Sequence, residues 1–179
     1  MKKFSRKTEE TEVTVIIDAE KTEVETTIAF LDHMVKTLSR HSGIAMRVEA
    51  KGDLEHHVIE DVAILLGRAL AEINKKGVER FGDAIVPMDD AVAICGLDFS
   101  GRGVLVVEGE FGDGEMKEED FLHFLDTLCR NAGLNVYLSV KGKNSHHKME
   151  AAVKAIAISL KKALKKSGNE YRSAKGVLD

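Results

Sequence analysis

The sequence predicts an α+β fold of two duplicated halves, each a mostly antiparallel sheet carrying two helices, related by a pseudo-two-fold axis. Three observations carry this expectation. Residues 31–70 laid over 121–160 without a gap match at eleven of forty positions, where unrelated segments would match at about two or three. Short segments alternate polar and apolar residues, the pattern of half-buried strands. Longer segments repeat apolar residues every three to four positions and end at glycine, the pattern of capped helices. The halves are read as residues 1–90 and 91–179, one compact unit with an internal offset of 90.

In the first half, "EVTVIID" (12–18) alternates and predicts a strand. "FLDHMVKTLSRHS" predicts a helix ended by Gly43, which suits a left-handed cap. "IAMRVEAKG" is strand-like. A long helix follows from about Glu55 to Lys76, with Val62, Leu66, Leu70 and Ile73 on its apolar stripe. In the second half, "AVAICGLDFSG" and "VLVVEGE" predict strands, 117–131 a helix, "LNVYLSVKG" a strand, and Ser145 to Lys166 the long helix. Tight turns between most strands, with two helices per copy, suggest helices packed on one face of each sheet.

The bulk numbers fit this reading and remove other classes. The 179 residues are 44% hydrophobic and 31% charged, the balance of a globular protein with a core. The net charge of -4 disfavours nucleic-acid binding driven by electrostatics. The basic N-terminus has no apolar stretch behind it, so a secretory signal is not expected. No apolar run reaches the roughly 18 residues that would span a bilayer. Cys95 and Cys129 form neither a CxxC pair nor a disulfide framework, and read as buried thiols of a reduced, cytoplasmic protein.

The repeat duplicates a distinctive cluster. "EHHVIED" at 55–61 is matched by "SHHKMEA" at 145–151, and six of the seven histidines lie at duplicated positions. On a helix His56 and Glu60 are four residues apart and project together, as do His146 and Glu150. Each pair can hold one metal ion. His57 is turned about 100° from His56, and His147 from His146, so each should serve a different ion. Under the pseudo-two-fold, His33, His57, His146 and Glu150 form one set; His56, Glu60, His123 and His147 form the other. The offset of 90 maps one set onto its partner. Three imidazoles and a carboxylate leave coordination positions open, and such mixed ligation suits Mn²⁺ or Fe²⁺. Seen alone, either cluster would be an ordinary pair of surface histidines; the duplication is what favours metal ligation. His41, unduplicated, reads equally well as a polar helix end.

With these residues assembled, the chain resembles imidazoleglycerol-phosphate dehydratases. The resemblance covers nearly the whole chain and rests on "RKTEET", "FLDHMVKTLSRHSG", "EHHVIED", "RFGDAIVPMDDA", "LDFSGR", "NAGL", "GKNSHHKMEA" and "SAKGVL". It implies the same eight metal ligands and a lyase of histidine biosynthesis that uses two Mn²⁺ per active site, with Fe²⁺ or another divalent ion as a substitute. The implied reaction removes water from D-erythro-imidazole glycerol phosphate to give imidazole acetol phosphate. A metal on each ring nitrogen would favour the imidazolate, which expels the hydroxyl through a diazafulvene-like intermediate. The resemblance also selects Glu10 as the proton shuttle, where the residues alone leave Glu9 an equal rival.

For the substrate's phosphate, the resemblance points to Arg80, Arg102 and Lys175, with His41 and Ser173 adding hydrogen bonds. Arginine's fork and lysine's point charge both suit a phosphate dianion. It further implies a homo-oligomeric, 24-subunit shell with sites completed between subunits, and neither nucleic acid nor membrane as partner. The sequence departs from the family pattern at Leu54, Glu55, Leu122, Gly103 and Ala174. None of these is a metal ligand, and Ala174 lies in the phosphate motif, where it bears on affinity. Two other readings fit the clusters: a two-metal phosphate hydrolase, and a non-catalytic shell held together by its ions.

Overall fold

A computed structural model describes residues 1–176. The final residues of "SAKGVL", Val177 and Leu178, lie outside the described residues. Strands β1 (Lys2–Lys7), β2 (Thr11–Ile17), β3 (Glu23–Glu25) and β4 (Met46–Gly52) form one sheet in the order β1-β2-β4-β3. Strands β5 (Phe81–Met88), β6 (Ala91–Asp98), β7 (Val104–Glu108) and β8 (Asn135–Lys141) form a second, in the order β5-β6-β8-β7. Helices α1 (Ala29–Ser42) and α2 (Glu55–Ala71) follow β3 and β4. Helices α3 (Glu118–Ala132) and α4 (Ser145–Ala163) follow β7 and β8. The α+β architecture with duplicated halves is as expected.

The pairing explains why each sheet is only mostly antiparallel. β2 runs antiparallel to β4, and β6 to β8, whereas β3–β4 and β7–β8 are parallel. A parallel neighbour requires a crossover, which α1 and α3 supply. Register is set by the buried face: Val13 stands against Ala50, Val15 against Val48 and Ile17 against Met46. The second sheet repeats this with Ala93 against Val140, Cys95 against Leu138 and Leu97 against Val136. A slip of one residue would turn each of these sets to solvent.

The sheets divide between Ala71 and Phe81 rather than at residue 90, because β5 pairs with β6. Three strands lie outside the segments picked from the sequence. β1 is exposed along almost its whole length and shows no alternation, β3 has only three residues, and β5 contains Pro87. Proline is tolerated there because β5 is an edge strand. The long helices also stop short of Lys76 and Lys166. Lys76 N–H donates to the Asn74 side chain, and the Ala163 and Lys165 carbonyls accept from Arg80 and Glu79. Those bonds turn the chain out of the helix. Gly43 and Gly133 cap α1 and α3 with φ of 76° and 69°, as left-handed caps require.

The helices join the halves. α2 lies on the first sheet and α4 on the second, while α1 packs on α4 and α3 on α2. One apolar cluster runs through both halves, from Val13 and Leu66 to Leu128 and Ile156. Cys95 and Cys129 are buried in it, and burial pushes their thiols up to about 11 and about 12. No helix among the described residues is long and apolar enough to cross a membrane.

The α2–α3 contact depends on Gly67. A Cβ at this position would stand 2.6 Å from Asn131 Cβ and 2.8 Å from the Leu128 carbonyl oxygen. Alanine favours a helix over glycine by about 1 kcal/mol, yet overpacking at this backbone contact outweighs it, so Gly67→Ala should lose about 1–2 kcal/mol net. Gly96→Ala, which meets nothing within 4 Å, should be near neutral. Denaturant midpoints of the two variants test the contrast.

Candidate metal centre

The crossed helix packing brings the duplicated ligands together in threes. His33 on α1 meets His146 and Glu150 on α4, and His123 on α3 meets His56 and Glu60 on α2. In each group one donor atom per residue lies within 4.8 Å of the others. Donors bound at roughly 2.1 Å to a common ion stand about 3–4 Å apart. Glu150 Oε2 is 3.4 Å from His33 Nε2 and 3.3 Å from His146 Nε2. Glu60 Oε1 is 3.6 Å from His123 Nε2. The ring pairs match as well, with centroids 5.5 Å apart for His33–His146 and 5.0 Å for His56–His123.

The donors fit a divalent ion. His123 Nε2 is buried and has no hydrogen-bond partner among the described residues, although an unpaired buried nitrogen is costly. Both groups combine imidazole nitrogen with carboxylate oxygen, the set that suits Mn²⁺, Fe²⁺ or a similar ion.

His57 and His147 join neither group. Each is rotated around its helix from its neighbour and is held elsewhere. His57 Nδ1 lies 2.8 Å from Asp53 Oδ1 and 3.9 Å from Glu10 Oε2. His147 Nδ1 lies 2.6 Å from Asp90 Oδ1, with Asp89 3.4 Å from its Nε2. One chain therefore assembles three of the four donors expected in each set, because helix geometry turns the fourth away. Glu10 occupies the turn between β1 and β2, and Asp90 the equivalent turn between β5 and β6. Of the two neighbouring acids Glu9 and Glu10, only Glu10 reaches a histidine among the described residues.

Sequence reasoning missed the outer carboxylates. Besides Asp53 and Asp90, Asp120 lies 2.8 Å from His56 Nδ1 and Glu115 lies 2.9 Å from His146 Nδ1. A carboxylate on Nδ1 fixes the tautomer and leaves Nε2 as the free donor. The repeat offers no signal for Asp120, since position 30, offset by 90, holds Phe; position 25 repeats Glu115 as Glu, but only helix packing sets the neighbours of these acids. Asp61, also unpredicted, binds Arg6 Nε at 2.8 Å and accepts from the Thr11 hydroxyl. This ties α2 to both strands that flank the Glu10 turn.

The anion-binding candidates fall into two places. Arg80 sits at φ 68° and donates its Nε and Nη2 to Asp98 at 2.7 and 3.1 Å. Its Nη1 donates to the Arg172 carbonyl at 2.8 Å, adjoining Ser173. Arg102 Nη2 approaches the same Asp98 at 3.6 Å, and Lys175 N–H donates to Ser173 Oγ at 3.2 Å. Arg80, Arg102, Ser173 and Lys175 thus gather around Asp98 and the C-terminal segment. His41 does not join them. It lines a groove with His33, Lys36, Arg40, Glu150 and Lys154, where burial and then the Lys154 and Arg40 charges hold its imidazole below the usual range. Arg80 N–H bonds the Ala163 carbonyl at one end of α4, and His146 stands at the other. At 1.5 Å per residue the two ends are about 25 Å apart.

The hydrogen bond that His57 Nδ1–H donates to Asp53 holds the imidazole above its usual range, as the bond to Asp90 does for His147. A raised pKa keeps the proton to higher pH, and its stabilisation is lost as pH rises through that value. In metal-free protein, Asp53→Asn should therefore lower the His57 titration midpoint toward 6.5, read from histidine nitrogen resonances. An unmoved midpoint would remove Asp53 as the cause.

The family model "Imidazoleglycerol-phosphate dehydratase" matches residues 26–160. The chain is 85% identical over 179 residues, all of both chains, to the imidazoleglycerol-phosphate dehydratase of Archaeoglobus fulgidus. It is 43% identical to that of Methanothermobacter thermautotrophicus, covering 97% of this chain and 95% of the relative. The structure superposes on the crystal structure of the Pyrococcus furiosus enzyme with a TM-score of 0.89 at 35% identity, covering 98% and 100% of the two chains. For the Staphylococcus aureus enzyme the TM-score is 0.81 at 28% identity, covering 93% and 100%. Sequence, fold and the duplicated histidine and glutamate groups agree: the chain belongs to the imidazoleglycerol-phosphate dehydratase family.

Proposed function

We propose that the protein catalyses the dehydration of D-erythro-imidazole glycerol phosphate to imidazole acetol phosphate in histidine biosynthesis, as a cytoplasmic, manganese-dependent hydro-lyase. The observation that carries this reading is the pair of three-donor groups, alike in composition and built at matching positions of the two halves. Two bound ions would supply Lewis acidity to the two nitrogens of the substrate's ring, where no carbonyl acidifies the hydrogen to be lost.

The chain's own residues do the remaining work. His33, His146 and Glu150 hold one ion, and His56, Glu60 and His123 the other. Carboxylates on Nδ1 of His56 and His146 fix the orientation of each ring and leave Nε2 to face the ion. Glu10 takes and returns the side-chain proton from its turn beside His57. Arg80, Arg102 and Lys175 hold the phosphate dianion, with Asp98 aligning the guanidinium of Arg80. Ser173 and His41 add hydrogen bonds.

The active site is read as assembled from more than one copy. The Arg80 group and the His146 group lie at opposite ends of α4, too far apart for one small substrate. His57 and His147 likewise turn away from the groups of their own chain, which leaves each as the fourth ligand for another copy. A 24-subunit shell of the kind the family resemblance implies accommodates both observations.

Turnover of imidazole glycerol phosphate by chelator-stripped protein should be absent and return on adding Mn²⁺. Two ions bound per chain without turnover would overturn the substrate assignment and favour a hydrolase or a purely structural shell. Glu10→Gln should reduce turnover by about 10²–10⁴ and leave the assembled mass in light scattering unchanged. Full activity in that variant would remove Glu10 as the proton shuttle.

A further inference from the structure

The two three-donor groups have the same ligands but different surroundings. Lys154 Nζ pairs with Glu150 Oε1 at 2.9 Å, leaving Oε2 to face His33 and His146. Ninety residues earlier the corresponding position is Ile64, and Glu60 forms no ion pair with a lysine or arginine among the described residues. The neighbouring positions diverge in the same sense, with Lys36 in one half and Asp126 in the other. Lys36, Arg40 and Lys154 share the groove that contains His33 and Glu150, whereas Asp126 pairs with Arg130 at 2.9 Å.

The other neighbours are balanced. Asp120 backs His56, and its counterpart Phe30 sets its ring edge against His146, 5.4 Å between centroids. Glu115 then supplies the carboxylate that Phe30 lacks. The remaining histidines are alike too, since Asp53 backs His57 and Asp90 backs His147. The uncompensated difference in direct contact with a donor is therefore the Lys154 cation on Glu150.

We infer that the two groups bind divalent ions unequally, the α2–α3 group tightly and the α1–α4 group weakly and exchangeably, with Lys154 setting the difference. This rests on the metal-ligand reading above. An ammonium on Oε1 limits Glu150 to one coordinating oxygen and sets a positive charge beside the incoming ion. Glu60 can offer either oxygen and meets no such repulsion. At limiting metal the protein should hold one ion per chain, and the second should enter the cation-lined groove last.

The test is Mn²⁺ binding to stripped, assembled protein, followed by the electron paramagnetic resonance signal of free Mn²⁺. Wild type should show two classes of equal number, separated by roughly tenfold or more in affinity, the scale on which outer partners tune metal sites. Lys154→Met should tighten only the weaker class, and Ile64→Lys should loosen only the tighter one. A single class in wild type, or two classes that neither variant moves, would overturn the inference. Absence of any Mn²⁺ binding would instead remove the metal reading beneath it. Ile64 is half-buried at the groups' periphery, so Ile64→Lys decides the matter alone if Lys154→Met fails to assemble.

Discussion

The packing of α1 on α4 and α3 on α2 is the constraint on which the rest of the structure depends. Each half owns a sheet and two helices, yet neither half brings three donors together from its own helices. His33 and His123 each belong to one half and complete a group in the other. The duplicated halves therefore cannot separate without taking both groups apart. Gly67 permits the α2–α3 approach, because any side chain there would press on the α3 backbone. The corresponding position in α4 is Ala157, fully buried, so small residues line both long helices where close contact is needed.

Around this frame the electrostatics are arranged in layers. Imidazoles and carboxylates converge on two points, which without an ion would leave nitrogen lone pairs such as that of His123 without a partner. Outer acids then hold four of the histidines by Nδ1, so that ring orientation is fixed before an ion arrives. The acids come from turns and helix starts of different elements: Asp53 and Asp90 from turns, Glu115 and Asp120 from the approach to α3 and its first turn. Glu115 serves the α1–α4 group and Asp120 the α2–α3 group, so this one short segment buttresses both.

The distribution of charge along α4 separates two kinds of chemistry. Its first turns carry His146 and Glu150 of one candidate metal group, and its far end anchors Arg80, whose left-handed backbone is held by the Ala163 and Phe99 hydrogen bonds. Asp98 takes two of the guanidinium donors and the Arg172 carbonyl a third, which leaves a preorganised cation facing the C-terminal segment. Within one chain these two ends stand about 25 Å apart along α4, so the two clusters remain separate.

Much of this was legible from the chain alone. The repeat singled out the histidines and glutamates that the structure gathers in threes, because the same residues at an offset of 90 are improbable without a shared role. Helical spacing grouped His56 with Glu60 and His146 with Glu150, and set His57 and His147 apart. Alternation located β2, and strand-like apolar patterning located β4, β6, β7 and β8. It failed for β1, β3 and β5, which are edge strands or too short to show a period. Sequence determined which histidines and glutamates are duplicated and how they sit on their own helices, since a helix's periodicity is local. The pseudo-two-fold already paired His33 and His123 with the opposite half, and tertiary structure alone decided that Asp120 and Glu115 back the imidazoles and that Asp98 joins Arg80 to Arg102. Those contacts are made between elements far apart in the chain, and no local pattern encodes which surfaces will meet.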